Sequence, residues 1–242
     1  MSERAQEAEV TVQSLLMGSL FALEQCGRLL EDAVILFEHS RHASAAGVAL
    51  LAREELGRYR ILLDLWREAA AGEQITVDRV FAACEDHVVK QKRAQLSLAH
   101  RADHNTQVGR LLKTRLESEA GTPEYDEAGV QLQPIYKRKW KAQPHERHQA
   151  RMSAFYVDLT SDGASWARPS DLLPLRCAEN IIDAISDYTI VRQRIEEPAL
   201  LYDDHDLAAG LATLPIAVAL PCPRSNSPSL MAAMTTPNET EQ

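Results

Sequence analysis

The segment Ala43-Ser44-Ala45-Ala46-Gly47-Val48-Ala49-Leu50-Leu51-Ala52-Arg53-Glu54-Glu55-Leu56-Gly57-Arg58 constrains this chain more than any other. Its first part is small and apolar, and runs of Ala and Leu favour helix. Small side chains also let a second helix approach closely. The remainder then places two adjacent carboxylates, a glycine and cations in the same helix. Burying a lone charge costs several kcal/mol, on the order of a whole folding surplus. Glu54 and Glu55 therefore need partners or a cleft to reach.

Helical spacing extends through most of the chain. Val12, Leu15, Leu16, Ser19, Leu23, Cys26, Leu30, Ala33 and Phe37 recur in steps of three and four, which predicts a helix over about Ala5–His39. Ser40-Arg41-His42 reads as a tight connection, and a second helix follows from Ala43 to a stop near Ala71-Gly72. Short connections between long helices imply antiparallel neighbours. Thr76 or Asp78 can cap a third helix running towards Leu116, with a break near His104-Asn105. Glu117–Pro134 is polar, carries Gly121, Pro123 and Gly129, and reads as a surface loop.

Ile135–Arg151 is basic, with Lys137, Arg138, Lys139, Lys141, Arg147 and Arg151. Phe155–Leu159 followed by Asp162-Gly163 predicts a small extended element and a turn. A last helix is expected over Ser170–Glu196, capped by Ser170, burying Ala178, Ile181, Ile182, Ile185 and Tyr188. The fold class is thus all-α, an up-down bundle of four to five helices. Residues 5–196 form the helical domain. The Pro-rich stretch 197–242 is expected to be largely disordered.

Charge and composition exclude several classes. A net charge of −9 is wrong for a general nucleic-acid coat, though it leaves room for a local basic site. The four cysteines are scattered and form no Cys-x-x-Cys pair. The opening residues lack the apolar core of a signal sequence, so a reduced, cytoplasmic setting is expected. Leu207–Leu220 is too short for a membrane span and contains Pro215. No phosphate-cradling glycine loop and no Gly-x-Ser-x-Gly is present, which argues against ATP-driven or α/β-hydrolase chemistry.

The candidate chemistry is polar. Glu54 or Glu55 could orient a histidine or a cation beside a reacting group, or simply pair with arginines of neighbouring helices. His87 and Lys90 stand three apart, and Arg93 three further on, so they share a broad helix face. Cations beside an imidazole suit a phosphodiester, although a solvated basic face has the same spacing. Arg93 and His100 match an Arg-x6-His spacing, as do Arg138 and His145. His100 and His104 sit at a spacing used by helical metal pairs, but no third or fourth ligand is marked; no metal and no cofactor is expected. Arg58, Lys90, Lys137, Arg138, Arg147, Arg151 and Tyr156 are candidates for holding a nucleic-acid backbone and stacking a base.

Several of these segments resemble a known family in the same order. Leu29-Leu30-Glu31-Asp32-Ala33, Arg41-His42-Ala43-Ser44-Ala45 and Ala52-Arg53-Glu54-Glu55-Leu56-Gly57-Arg58 are similar to the opening of AbiV-type abortive infection proteins, a branch of the HEPN superfamily. Asp86-His87-Val88-Val89-Lys90 resembles the family's His-x-x-Lys segment. Arg151–Asp158 resembles its Arg…Tyr-Val-Asp element. Arg58 stands where the family usually has lysine, and Ala94 follows Arg93 where the superfamily commonly has a polar residue.

The resemblance implies an HEPN-like bundle acting in phage defence. It implies RNA as the target, a homodimer, and metal-independent cleavage with His87, Arg93, His100, Glu54 and Glu55 as the catalytic candidates. A phage-encoded trigger or an antitoxin would be a further partner, and no membrane is implied. The alternative is a non-catalytic interaction protein that arrests growth by binding a translation component or a phage protein.

Overall fold

The computed structural model describes residues 8–95, 107–119, 121–160, 163–197, 204–214 and 219–235. The fold is all-α, with one two-residue-stranded hairpin among the described residues.

Two long helices build the frame. α1 (Val12–Glu38) starts at Thr11, whose hydroxyl accepts the Ser14 N–H at 3.1 Å. α2 (His42–Ala70) returns antiparallel to it after a turn in which Ser40 takes a left-handed φ of 59°. Leu15, Leu23, Leu30, Ala33 and Phe37 of α1 meet Ala45, Ala49, Ala52, Leu56 and Tyr59 of α2 in one core. The small α2 face does what its composition predicts: it lets its neighbours come close. α7 (Pro174–Glu196) closes this core with Ala178, Ile181, Ile185 and Tyr188.

The third helical stretch is not continuous. Thr76 caps α3 (Val77–Glu85), and a new helix, α4 (His87–Arg93), begins at Asp86. The Asp86 carboxylate accepts the N–H groups of Val88 at 2.7 Å and Val89 at 3.0 Å, so an N-cap interrupts the expected single helix. The expected break near His104-Asn105 lies outside the described residues.

The segment expected to be a loop is largely helical. α5 (Gln107–Glu117) is followed by α6 (Pro123–Phe155). Thr122 caps α6, Pro123 takes its first turn, and Glu124 and Asp126 complement its N-terminal dipole. Buried Ala128 and Leu132 hold the first half of α6, so Gly129 and Pro134 lie inside a helix instead of ending one.

A hairpin follows, with β1 (Asp158–Leu159) antiparallel to β2 (Trp166–Ala167) and Leu159 opposite Trp166. Pro169–Asp171 form a 3-10 turn. α7 then starts at Pro174, not at Ser170, because a proline favours a helix's first position.

Within 197–242, the described residues 204–214 and 219–235 include two short helices. α8 (His205–Ala212) buries Leu207, and Asp204 at its cap pairs with Arg67 at 2.6 Å. Gly210 lies directly on the Trp66 ring. α9 (Pro228–Thr235) buries Leu230, and Ser227 donates a hydrogen bond to Glu38 at 2.7 Å. Among the described residues, no helix is long and apolar enough to cross a membrane.

Candidate functional site

Glu54 lies in the middle of α2, with its side chain 4 % exposed. Two other helices, α4 and α6, bring positive or ionisable groups to it. From α4, His87 Nδ1 lies 2.6 Å from Glu54 Oε2, the geometry of an N–H donated to a carboxylate. Lys90 Nζ, one turn along α4, lies 3.8 Å from the same oxygen. From α6, Arg151 Nε lies 3.3 Å from Glu54 Oε1, without the alignment of a hydrogen bond.

The close packing of α4 on α2 creates this cluster. Gly57 meets the backbone of Lys90 so tightly that a Cβ there would overlap the Lys90 carbonyl. Gln91 reaches under the helix and donates to the Leu50 carbonyl at 2.9 Å. Arg60 donates to the Arg93 carbonyl at 2.8 Å, which ties down the C-terminal end of α4. Asp86 fixes its other end, immediately before His87. Gly47 has the same use on α6, where the Phe155 ring fills the place of a side chain.

His148 joins the cluster from α6. Its ring stacks on that of His87, with centroids 6.0 Å apart and planes at 26°. Arg151 Nη2 lies 3.5 Å from His148 Nδ1. Sequence reasoning missed His148. Its signal was the helical step of three to Arg151, beside Arg147, on the face that turns towards α2.

Beneath the cluster is a second charged layer, in which the candidate Arg147 joins Arg53 and Asp187, two residues that sequence reasoning missed. Arg53 is fully buried and pairs with Asp187 of α7 at 2.6 Å. Arg147 is buried nearby, and its Nη1 has no hydrogen-bond partner among the described residues. Burial, then the charge of Arg53, pulls the Arg147 guanidinium down from its usual range to about 9. Burial raises the Asp187 carboxyl, against the pull of Arg53.

The remaining candidates fall in different places. Glu55 points away from Glu54 and pairs with Arg58 at 3.2 Å; burial raises its carboxyl, while Arg58 and Lys90 oppose that shift. Arg93 pairs with Asp64 at 3.1 Å, at the far end of α4 from His87. Lys137 is exposed on the first half of α6. Tyr156 is exposed at the C-terminal cap of α6. Arg138 belongs to α6, but its side chain lies outside the described residues, as does the whole of His100. Among the described residues, no three His, Cys, Asp or Glu side chains gather as they would to hold a metal ion.

The arrangement has a definite chemical capacity. A buried carboxylate that accepts a hydrogen bond from Nδ1–H of a half-exposed imidazole fixes its tautomer and leaves Nε2 to accept or donate a proton. Lys90 and Arg151 place positive charge beside it. This combination suits a reaction that develops negative charge, such as displacement at phosphorus.

Comparison with known proteins adds the family. The family model for AbiV, of the HEPN group, matches residues 15–188, which include most of α1, all of α2, α4 and α6, and every member of the two charged layers. No curated protein and no solved structure gives a significant match.

Proposed function

The chain belongs to the AbiV family of HEPN proteins, and from that premise we propose that it is a phage-defence effector that cleaves RNA at the Glu54–His87 site. The observation that carries this reading is the 2.6 Å contact between His87 Nδ1 and a buried carboxylate. In the proposed reaction, His87 Nε2 takes the proton of a ribose 2′-hydroxyl, and the 2′-oxygen attacks the adjacent phosphorus. Lys90 and Arg151 offset the charge that builds on the phosphoryl oxygens. The bond to the 5′-oxygen breaks, and that oxygen receives a proton from the second imidazole, His148. The products are a 2′,3′-cyclic phosphate and a free 5′-hydroxyl. No step in this proposal assigns work to a metal.

Homodimerisation is part of the proposal. Val157, Leu159 and Trp166 form an exposed apolar face on the hairpin, and such a face favours cover by a partner.

The test is incubation of the wild-type protein and His87→Ala with total bacterial RNA in excess chelator. Fragments from the wild type alone support the assignment. Equal cleavage by both proteins overturns the role of His87. Absence of cleavage by either, with growth arrest intact in cells carrying His87→Ala, favours the non-catalytic interaction protein.

A further inference from the structure

A cavity of about 650 Å³ opens between α2, α3 and α4, next to the Glu54–His87 site. Leu62, Val80, Phe81 and Cys84 give it apolar walls, and Arg58 and Lys90 bring two cations to it against the one carboxylate of Glu85. Its volume lies in the range of small-ligand sites. Lys90 belongs to both places: it lines the cavity and stands 3.8 Å from Glu54. Its side chain is only 5 % exposed and its charge is shared with Glu54, so the cavity and the carboxylate site meet at one residue.

Phe81 lines the cavity without being packed into the core. It is 71 % exposed, while its neighbours Val80 and Cys84 turn inward and pack against the core. An aromatic ring at the rim of an apolar slot, with two cations further in, matches a flat aromatic ligand joined to a negative group.

We propose that this cavity is a base-binding subsite: it takes an unpaired nucleobase next to the phosphate held at Lys90, with Phe81 stacking on that base. The proposal rests on the RNA reading above and adds a specificity-determining residue to it. Stacking on an aromatic side chain suits any base, because every base offers a π face. The apolar walls of Leu62 and Val80 exclude water around the base, and Arg58 reaches its polar edge. A base still paired in a duplex cannot enter, since its face is covered and its edge is engaged.

The experiment measures fluorescence anisotropy with a labelled RNA decamer methylated at every 2′-hydroxyl, which binds without being cut. The comparison ligand is the same backbone without bases. The wild type is expected to bind the base-bearing decamer about ten-fold or more tightly than the abasic one, the range that one stacked base supplies. Phe81→Ala should erase that preference and Phe81→Trp should retain it, with thermal melts of both variants unchanged. A preference that persists in Phe81→Ala overturns the subsite and leaves the RNA reading standing. Equal wild-type affinity for the two ligands does the same. Failure of the wild type to bind either ligand overturns the RNA reading, and the subsite with it.

Discussion

Glu54 and His87 come from different helices, yet their side chains meet at 2.6 Å, with the carboxylate buried and the imidazole half exposed. That asymmetry gives each a separate job. The carboxylate organises three cationic or ionisable groups, and the imidazole presents one nitrogen outward. Glu54→Gln keeps the shape but removes the charge, so Lys90 and Arg151 lose their shared counter-ion. A buried pair broken from one side typically costs about 3 kcal/mol or more. The expected result is a loss of that size in urea unfolding, together with a fall in RNA cleavage of roughly 100-fold or more. His87→Ala should lose cleavage equally and stability much less. Equal stability losses in the two variants would contradict the division of roles.

Gly57 tests how closely α4 must approach α2. A Cβ at this position overlaps the Lys90 backbone, which cannot swing away as a side chain can. Gly57→Ala should push α4 outward, cost about 1 to 3 kcal/mol and separate Lys90 from Glu54. Gly18→Ala in α1 is the control, because there a Cβ meets Leu62 at an ordinary 3.6 Å. That change should be neutral or add up to about 1 kcal/mol through helix propensity. Thermal melts should fall for Gly57→Ala and stay level or rise for Gly18→Ala.

Asp86 gives a prediction with a pH signature. The N–H groups of Val89 and Val88 hold its carboxyl below the usual value of 3.8. Because the folded value is depressed, the cap contributes fully above about pH 4 and is lost as pH falls through the folded value. Asp86→Ala should cost about 1 kcal/mol at neutral pH. The gap between wild type and variant should close as the pH is lowered below about 4. A gap that stays constant down to acid pH would show that the carboxylate is not the cap.

Much of this organisation was legible in the sequence, and the missing parts share a cause. The small face of α2, the Glu54 carboxylate and the His87–Lys90 step are local patterns, and local patterns survive folding. Asp86 was legible too, as an acidic residue ahead of a helical run, but it was read as part of a longer helix. The 117–134 stretch misled because Gly129 and Pro134 are breakers only where nothing else holds the helix. Here Thr122 starts it, and Ala128 and Leu132 anchor it. Arg53 and Asp187 gain their significance from the packing of α7 on α2. Pairings that distant leave no trace in local spacing. The same holds for α8 and α9, whose few apolar residues find a bundle already built.

Arg147 gives the prediction in which stability and function oppose each other. Burial and the nearby Arg53 make its charge unfavourable, which is why its value falls to about 9. A base with a depressed folded value binds fewer protons than in the unfolded chain, so stability should rise with pH from about 9 upward. Replacing such a buried charge with an apolar side chain of similar length removes the cost. Arg147→Met should therefore raise stability by roughly 1 to 3 kcal/mol, while Asp187 keeps Arg53 as its partner at 2.6 Å. The same variant should bind RNA more weakly, because a guanidinium whose Nη1 has no hydrogen-bond partner among the described residues is suited to a phosphate. Denaturant melts and anisotropy titrations on one preparation decide the matter. A less stable Arg147→Met protein would mean that Asp183 and Asp187 satisfy the guanidinium in place, and that its charge serves the fold.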